Sequence, residues 1–366
     1  MSVLVIVGTK AQFIKTAPVL REMDRRGIAY QLVYTGQHSE TFDVLEDAFG
    51  TRQADEVLVP SFEADTKMSF LRWTGLFWWH VLGRLRSAEW REASLCLVHG
   101  DTASTLFGAM AARLAGIRVG HIEAGLRSPK RLDPFPEELI RRWVSGMTHV
   151  HFAPDSAAAD NLARASGTVV RTGGNTLRDA LSMALTQMEG VPSLGGAGNY
   201  GVVSIHRNEN LSNVADFDLL MESVIAASAI LPLKFVLHPA TRARIARTRW
   251  QSRLEAASGL ELMARMDYPE FVRLLVGSRL LMTDGGSNQE EAAMLGLPTL
   301  LLRRATERGD GLGDSIELSY LDRGAIAAFV HRHAGGKWTI RPIPDASPSG
   351  LIVDWIGHSL AEGAAR

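Results

Sequence analysis

Short apolar segments alternate with longer amphipathic segments along nearly the whole chain. In the first half, segments with helical spacing of apolar residues, such as IKTAPVLREMDRRG, separate runs that predict strands. These predicted strands are 2–7, 28–35, 55–59, 94–99, 117–122 and 148–153. Near-continuous apolar strands are typical of parallel sheets covered on both faces, and strand–helix–strand alternation predicts a doubly wound sheet.

A second set of strands follows a Gly- and Pro-rich stretch at 190–199, which is typical of a linker. Its predicted strands are 200–205, 233–238, 260–264, 279–283 and 298–302. The pattern therefore predicts an α/β protein with two doubly wound, Rossmann-like domains that face each other across a cleft. We place the first domain at 1–172 and the second at 173–349. A C-terminal helix at 350–366 can pack back on the first domain.

Composition and charge narrow the class of protein. Hydrophobic residues make up 46% and charged residues 22%, which is typical of a globular chain, and a net charge of −1 disfavours nucleic acid as a partner. The single cysteine, Cys96, excludes an internal disulfide and suits a reducing compartment. The N-terminal segment lacks the basic flank of a signal peptide, and no run reaches the ~20 apolar residues of a membrane span. We expect a cytoplasmic protein without stable membrane insertion.

Ligands of open parallel sheets bind beyond the carboxyl ends of the strands, so the polar residues that follow each strand are the candidates. The first strand ends in a Gly-Thr-Lys turn, where Lys10 and Lys15 can neutralise a phosphate. Gln37 and His38 follow the second strand. The glycine spacing matches neither a P-loop nor a dinucleotide fingerprint. An ordinary strand–helix turn with a surface histidine remains the alternative.

Three carboxylates follow the later strands of the first domain. Asp101 comes after a strand in VHGDTASTL, Glu123 comes after the next in HIEAGLR, and Glu137 begins the helix that follows. Arg127 lies between the last two. Acids at one edge of one sheet predict acid–base chemistry with pKa values pushed apart. The alternatives are a helix N-cap for Asp101 and a helix-dipole partner for Glu137.

The second domain offers cationic groups at its first two strand ends. His206 and Arg207 occur in SIHRNEN, and His238 ends the next strand. A histidine and an arginine placed there can bind a pyrophosphate and transfer a proton. The alternative is a loop histidine beside a surface arginine.

The segment TDGGSNQEE follows a buried strand and opens a helix. Its glycines and serine can cradle a phosphate with backbone N–H groups, whereas its acid can accept hydrogen bonds from a ribose diol. A Thr and an Arg downstream can add a second phosphate contact. This predicted nucleoside diphosphate site consists of Gly285, Gly286, Ser287, Glu291, Thr306 and Arg308.

Nine segments in order make the chain similar to the UDP-N-acetylglucosamine 2-epimerases, a family with the two-domain GT-B architecture. The segments are GTKAQFIKTAPVL, TGQH, VHGDT, HIEAGLR, PFPEE, TGGNTLRDAL, HRNEN, TDGGSNQEE and ATER. They run from residue 8 to about residue 308, so the resemblance covers most of the chain.

The resemblance implies a UDP-2-acetamido sugar as substrate, with neither NAD nor a metal. A base removes the C2 proton while UDP leaves from C1, and UDP adds back to the resulting glycal after C2 is reprotonated from the other face. The implied acid–base group is Asp101, Glu123 and Glu137, and His206 assists the departing diphosphate. The charge on UDP would be stabilised by Lys10, Lys15, Arg127, His206 and Arg207.

Two motifs depart from the family pattern. Lys10 stands where the family usually has arginine, and Ala11-Gln12 replaces Pro-Glu. In TDGGSNQEE, a glycine and a serine exchange places at 285 and 287. Hydrolysing members release UDP and free N-acetylmannosamine, and other members act on 2,3-diacetamido sugars. These outcomes remain open, as does a GT-B glycosyltransferase.

The segment 72–90 carries four tryptophans and several arginines. A helix packed on the sheet or at a dimer interface is favoured over an amphipathic helix on a membrane surface. We therefore expect a homodimer.

Overall fold

The computed structural model describes residues 2–37, 42–60, 62, 67–128, 135–188, 190, 194–306 and 308–364. The chain divides into two compact units. The first unit comprises Met1–Met183 together with Pro344–Arg366, and the second comprises Ala184–Ile343.

A parallel sheet forms the centre of the first unit. Within the described ranges it has seven strands in the order β3-β2-β1-β4-β5-β6-β7. The strands are β1 (Ser2–Val7), β2 (Tyr30–Tyr34), β3 (Glu56–Val57), β4 (Ala93–His99), β5 (Arg118–Ile122), β6 (Val150–Ala153) and β7 (Thr168–Arg171). The helices between them are α1 (Lys10–Arg25), α2 (Phe42–Phe49), α3 (Lys67–Arg84), α4 (Ala88–Glu92), α5 (Ala103–Leu114), α6 (Glu137–Met147), α7 (Ser156–Asn161) and α8 (Leu177–Thr186).

The second unit repeats the plan. Of its described strands, six form a parallel sheet in the order β11-β10-β9-β12-β13-β14, and a short antiparallel pair joins β8 to β15. The strands are β8 (Leu194–Gly195), β9 (Gly201–Ser204), β10 (Leu233–Leu237), β11 (Leu260–Ala264), β12 (Leu281–Thr283), β13 (Thr299–Leu301), β14 (Ile316–Leu318) and β15 (Trp338–Thr339). The helices are α9 (Asn208–Ser212), α10 (Val214–Ser228), α11 (Pro239–Ala246), α12 (Trp250–Glu255), α13 (Tyr268–Gly277), α14 (Gly286–Leu295) and α15 (Arg323–His333).

The last helix, α16 (Pro348–Ala364), lies in the first unit, where it packs against α1. Arg26 of α1 forms an ion pair with Asp354 of α16. Asp179 of α8 accepts a hydrogen bond from the backbone N–H of Ser349 at 2.7 Å. The C-terminal helix is therefore fixed to the first unit at two separate points.

The predicted fold class, with two doubly wound parallel sheets, is confirmed. Both sheets reverse their strand order beside the first strand, between β1 and β4 in one unit and between β9 and β12 in the other. Loops that leave neighbouring strands in opposite directions open a crevice at such a point, and ligands bind there. The segments that follow these four strands are among those that the sequence pattern selects.

The glutamine at position 12 joins two of these segments in the first unit. Gln12 accepts hydrogen bonds from the backbone N–H groups of Gly8 and Thr9, at 2.9 and 3.1 Å. Its amide group donates to the backbone oxygen of His99 at 2.7 Å and to the hydroxyl of Thr105 at 2.8 Å. Because Gln12 is 3% exposed and its amide bonds within the protein, it holds the ends of β1 and β4 together.

Helix α3 contains most of the tryptophan-rich segment and is apolar on two faces. Trp73, Phe77 and Val81 are fully buried in the core of the first unit, which confirms that the helix packs on the sheet. On the opposite face, Trp79 is 76% exposed. None of the described helices is both long and apolar enough to span a lipid bilayer.

Candidate active site

Glu123 is the most constrained residue at the carboxyl edge of the first sheet. It follows β5 and has φ of 64°, a left-handed conformation that costs energy for a residue with a side chain. Lys15 Nζ donates to both carboxylate oxygens, at 2.9 and 3.0 Å, and Asn175 Nδ2 donates to Oε1 at 2.7 Å. The side chains of Lys15 and Glu123 are each 8% exposed. This carboxylate is therefore fixed in position by groups from two other segments of the chain.

His99, the last residue of β4, lies on the other side of the same carboxylate. Its Nε2 is 3.3 Å from Glu123 Oε2, and the ring is 2% exposed. Burial lowers the pKa of His99, although the neighbouring Glu123 acts in the opposite direction. The ring is therefore neutral near pH 7.

Asp101 follows β4 and forms an ion pair with a helix of the same edge. Arg141 Nε donates to Asp101 Oδ2 at 2.8 Å. The N-cap of α5 is Thr102, so the alternative of Asp101 as that N-cap is wrong. Glu137, one helical turn before Arg141 on α6, lies on the same helix face as the arginine that pairs with Asp101.

The two acids that begin α6 have different environments. Glu138 is fully buried and pairs with Arg142 at 2.8 Å and with Arg141 at 3.6 Å. Glu137 Oε2 is also buried, but it has no hydrogen-bond partner among the described residues. Glu138 is therefore held by ion pairs within its own helix, although its Oε1 also lacks a hydrogen-bond partner among the described residues, and Glu137 leaves Oε2 as an acceptor.

The remaining predicted residues of the first unit also follow its strands. Lys10 begins α1, directly after the turn at the end of β1. Arg127 donates to the backbone oxygen of Leu126 at 2.8 Å and to Ser145 Oγ at 3.0 Å, and burial lowers its pKa. Gln37 accepts a hydrogen bond from Ser104 Oγ at 2.7 Å, and His38 lies outside the described residues.

In the second unit, the loop after β9 is held by Asp284. This fully buried carboxylate accepts hydrogen bonds from the backbone N–H groups of His206 and Arg207 at 2.9 and 3.0 Å, and from Asn210 Nδ2 at 2.9 Å. Burial lowers the pKa of His206, and the nearby Arg207 acts in the same direction. Two strand ends, one carrying the histidine and one carrying the glycines, are thus joined by one acid.

The glycine turn brings cationic side chains to a helix N-terminus. Gly285 is the N-cap of α14, and a Cβ atom there would lie 2.6 Å from His206 Cε1. A Cβ atom at Gly286 would lie 3.0 Å from Arg308 Nε and 3.5 Å from Arg207 Nη2. A side chain at Gly285 would displace the His206 ring, and one at Gly286 would require Arg308 to shift. Backbone N–H groups, a histidine and two arginines therefore lie close together at this helix start. Ser287 is the second residue of the helix.

The two acids of α14 contact neighbouring side chains. Arg308 Nη1 donates to Glu290 Oε2 at 2.9 Å, and this ion pair fixes the arginine beside Gly286. Glu291 is 3% exposed and lies against Tyr268, whose pKa is raised well above its usual value by burial and by this carboxylate. Both acids are therefore engaged with neighbouring side chains of the second unit.

Two further predicted residues lie near this helix start. Thr306 donates to Gln289 Oε1 at 3.1 Å and accepts from the backbone N–H of Arg308 at 3.3 Å. His238 caps α11, and its ring centroid is 5.5 Å from that of His206. The predicted residues of the second unit therefore form one cluster around the start of α14.

Sequence reasoning missed several residues that position the predicted ones. Asn175 follows β7 in TGGN, and its place after a strand was the available signal. His99 and Asp284 are the polar residues at or just after the ends of β4 and β12. The sequence around Arg141 did not indicate a site residue, since arginines are common on helix surfaces and its partner Asp101 lies far away in the chain. Within the described ranges, no three His, Cys, Asp or Glu side chains are grouped closely enough to hold a metal.

Comparisons with known proteins identify relatives over most of the chain. A sequence profile described as UDP-N-acetylglucosamine 2-epimerase matches residues 21–334. A protein of that name from Neisseria meningitidis serogroup A is 30% identical over 334 residues, which cover 85% of this chain and 85% of that protein. Another of that name, from Bacillus subtilis (strain 168), is 29% identical over 325 residues, covering 85% of this chain and 81% of that protein.

Two similar solved structures are also of UDP-GlcNAc 2-epimerases. The crystal structure of Methanocaldococcus jannaschii UDP-GlcNAc 2-epimerase in complex with UDP-GlcNAc and UDP has a TM-score of 0.82 and 25% identity, over 98% of this chain and 100% of that chain. The Neisseria meningitidis UDP-GlcNAc 2-epimerase bound to UDP-GlcNAc has a TM-score of 0.78 and 26% identity, over 97% of this chain and 99% of that chain.

Proposed function

We propose, since the chain belongs to the UDP-N-acetylglucosamine 2-epimerase family, that this isomerase interconverts UDP-GlcNAc and UDP-ManNAc. The proposed reaction eliminates UDP from C1 together with the C2 proton and adds UDP back to the glycal. The two relatives share the family name, and both similar structures contain UDP-GlcNAc. The steps are redox-neutral, so they consume no oxidant.

The observation that carries this proposal is the environment of Glu123. A carboxylate held by Lys15 and Asn175, in a left-handed backbone conformation, is fixed before substrate arrives. Preorganised acids and bases of this kind accelerate proton transfer, because no reorganisation is needed during the reaction. We assign Glu123 to proton transfer at C2.

Inversion at C2 needs a second proton-transfer group on the opposite face of the sugar. Asp101 and Glu137 are the candidates, since the ion pair of Asp101 with Arg141 puts both near one face of α6. Glu137 retains a buried oxygen without a hydrogen-bond partner among the described residues, as a proton-transfer group requires. We therefore propose that these two acids work on the face that Glu123 does not reach.

We assign the UDP moiety to the start of α14 in the second unit. Backbone N–H groups at Gly286 and Ser287 and the positive end of the helix dipole attract a diphosphate, and two arginines add charge-assisted hydrogen bonds. His206 then assists the departing diphosphate. The other proposed contacts of the UDP-sugar are Lys10, Lys15, Arg127, Arg207, His238, Ser287, Glu291, Thr306 and Arg308.

The cytoplasmic location expected from the sequence stays a prediction.

Product analysis tests this function and separates it from the alternatives. UDP-GlcNAc is incubated with the protein and followed by ¹H and ³¹P NMR. We expect UDP-ManNAc to accumulate toward equilibrium with UDP-GlcNAc. Free ManNAc with UDP would identify a hydrolysing enzyme, transfer of GlcNAc to an added acceptor would identify a glycosyltransferase, and no reaction of UDP-GlcNAc would refute the proposed substrate.

We also propose a homodimer, formed through an apolar surface on α3, α5 and α6. Trp73 of α3 stacks on Phe107 of α5, and α5 packs on α6, so the three helices are neighbours. Their exposed large apolar residues are Met68, Phe70, Leu71, Trp79, Leu82, Met110, Leu114 and Trp143. Several large exposed apolar residues on neighbouring helices are typical of an association surface, and a two-fold dimer covers the same surface on both copies.

A charged residue in place of Trp79 should therefore dissociate the proposed dimer. Trp79→Glu places a carboxylate at the most exposed residue of this surface, and we expect a monomer at micromolar concentration by sedimentation velocity. Leu351→Glu is the matched control, because Leu351 lies on α16 and is 41% exposed, and it should leave the dimer intact. A wild-type monomer, or a dimer that Trp79→Glu does not weaken, would contradict the assignment of this surface.

A further inference from the structure

A buried histidine of β5 is bonded to the turn that carries Asp101. His121 Nε2 lies 2.7 Å from the backbone oxygen of Gly100. A carbonyl oxygen can only accept, so the ring carries its hydrogen on Nε2 and donates it to Gly100. The ring is 1% exposed, and its Nδ1 is buried without a hydrogen-bond partner among the described residues. Because an apolar side chain would fill this site without an unsatisfied nitrogen, the bond to Gly100 is what a histidine adds here.

The acceptor of this bond is a residue with unusual conformational freedom. Gly100 has φ of 70°, in the left-handed region that glycine adopts readily. Its N–H donates to the backbone oxygen of Ile122 at 3.0 Å, so both of its backbone polar groups are bonded to the end of β5. The carbonyl of Gly100 lies in the same peptide plane as the N–H of Asp101. Fixing this carbonyl therefore fixes the direction in which the chain enters Asp101.

The same turn lies against the carboxylate of Glu123. A Cβ atom at Gly100 would lie 3.7 Å from Glu123 Oε2. Glu123 itself comes two residues after His121, so one strand end carries one acid and holds the backbone of the other. Arg141 Nε donates to the carboxylate of Asp101 at 2.8 Å. The position of Asp101 relative to Glu123 is thus set through its backbone by His121 and through its side chain by Arg141.

The hydrogen on Nε2 does not depend on the charge of the neighbouring acids. Burial lowers the pKa of His121 to about 3, and the nearby His99 and His151 act in the same direction. The bond to Gly100 and the charge of Glu123 act in the opposite direction but are outweighed. The ring therefore stays neutral near pH 7 and remains a donor while the acids around it gain or lose protons.

We propose that His121 is a positioning residue that fixes Asp101 relative to Glu123 through the peptide of Gly100. This inference rests on the proposed function, in which the two acids transfer protons on opposite faces of C2. Glu123 keeps its own contacts with a lysine and an asparagine when His121 is replaced. Loss of the His121 donor should therefore displace the second acid alone.

His121→Leu removes the donor and keeps the site filled. We expect kcat for epimerisation to fall on the order of 10²-fold, because a small displacement of a proton-transfer group has a large effect on rate. UDP affinity should stay at the wild-type value, since UDP is assigned to the second unit.

A deuterium experiment separates this displacement from a general loss of structure. In D₂O, Glu123 of His121→Leu can still take the C2 proton as UDP leaves and return a deuteron to the same face. For the epimer whose C2 hydrogen faces Glu123, deuterium in the recovered starting sugar should increase relative to epimer formation. An unchanged ratio of exchange to epimerisation would overturn the proposal, because a merely structural loss lowers both rates together.

Two further variants serve as rescue and control. His121→Gln carries an amide N–H that can reach the Gly100 oxygen, and it should restore kcat and the wild-type ratio. His151→Leu is the matched control, because His151 is the register partner of His121 on β6, is also buried and has Nε2 2.9 Å from the backbone oxygen of Ser166. Its kcat should match the wild type. A loss of kcat in His151→Leu equal to that in His121→Leu would contradict the proposed role.

Two measurements on the resting protein do not depend on turnover. In ¹⁵N-histidine-labelled protein, we expect the His121 ring to carry its hydrogen on Nε2, and a hydrogen on Nδ1 alone would overturn the inference. By hydrogen exchange and mass spectrometry, the amide of Gly100 should exchange faster in His121→Leu than in His151→Leu, and equal rates would also overturn it. Inactivity of the wild type toward UDP-GlcNAc, with both measurements as expected, would overturn only the proposed substrate.

Discussion

Replacing Glu123 by Gln should lower the rate of solvent deuterium incorporation at C2 by a factor on the order of 10³. The amide has nearly the same shape, so it can keep the left-handed backbone and the contact with Asn175. It cannot take up a proton from carbon. The measurement is ¹H NMR of the UDP-sugar in D₂O, with UDP affinity measured separately by calorimetry.

The control for this variant is Glu56→Gln, which removes a carboxylate paired with Arg84 elsewhere in the same unit. We expect its exchange rate to match the wild type, because a surface ion pair contributes little. UDP affinity should be unchanged in both variants. Wild-type exchange in Glu123→Gln would remove Glu123 from the proton transfer, and loss of UDP binding would point to misfolding instead.

Replacing Asp284 by Asn should damage the nucleotide site and the fold of the second unit together. The carboxylate accepts from His206, Arg207 and Asn210, whereas an amide offers one oxygen and turns an N–H₂ group toward donors. Leaving buried donors without an acceptor should lower the free energy of unfolding by about 3 kcal/mol. The loop that carries His206 and Arg207 would also lose its anchor, so we expect UDP affinity to fall at least about tenfold.

Denaturant unfolding and calorimetric titration with UDP measure these two effects. Asp314→Asn is the matched control, since the Asp314 side chain is 60% exposed and pairs with Arg341 at 2.7 Å. Its stability should change by less than about 0.5 kcal/mol and its UDP affinity not at all. If Asp284→Asn binds UDP as tightly as the control does, the diphosphate is not held by this loop.

The predictable part of the fold follows from local patterns. Buried strands such as β1 and β4 are continuous apolar runs, and the glycine turns after them have distinctive residues, so both the strands and their ends could be located. Parallel topology then brought the end of β5 beside the end of β4 without any knowledge of contacts. The edge strands β7 and β14 were missed because they are short and only partly buried, so their sequences have no apolar run.

The pairing of side chains could not be predicted in the same way. Lys15 lies 108 positions from Glu123, and its family motif indicated a contact with UDP rather than an ion pair with an acid. Asn175 reaches the same carboxylate from 52 positions away. Which polar groups meet depends on the twist of the sheet and the tilt of each helix. A single sequence does not encode these in any short pattern.

The packing of the structure, and not the sequence, explains the two departures from the family motifs. Gln12 keeps every polar atom of its amide engaged with the backbone and hydroxyls around it, so its role is to hold two strand ends together. Gly285 leaves the space that the His206 ring occupies, as a Cβ atom there would collide with the ring. A serine at 285 would therefore displace the histidine or the turn.

Cleavage of the C1–O bond is the step on which the whole assignment depends, and an isotope label reports it directly. UDP-GlcNAc is prepared with ¹⁸O in the bridge between C1 and the β-phosphorus and is followed by ³¹P NMR. If UDP departs and re-adds, the β-phosphate can rotate, and the label should scramble into non-bridging positions as UDP-ManNAc forms. A label that stays in the bridge while UDP-ManNAc accumulates would show that the C1–O bond never breaks, and it would contradict elimination through a glycal.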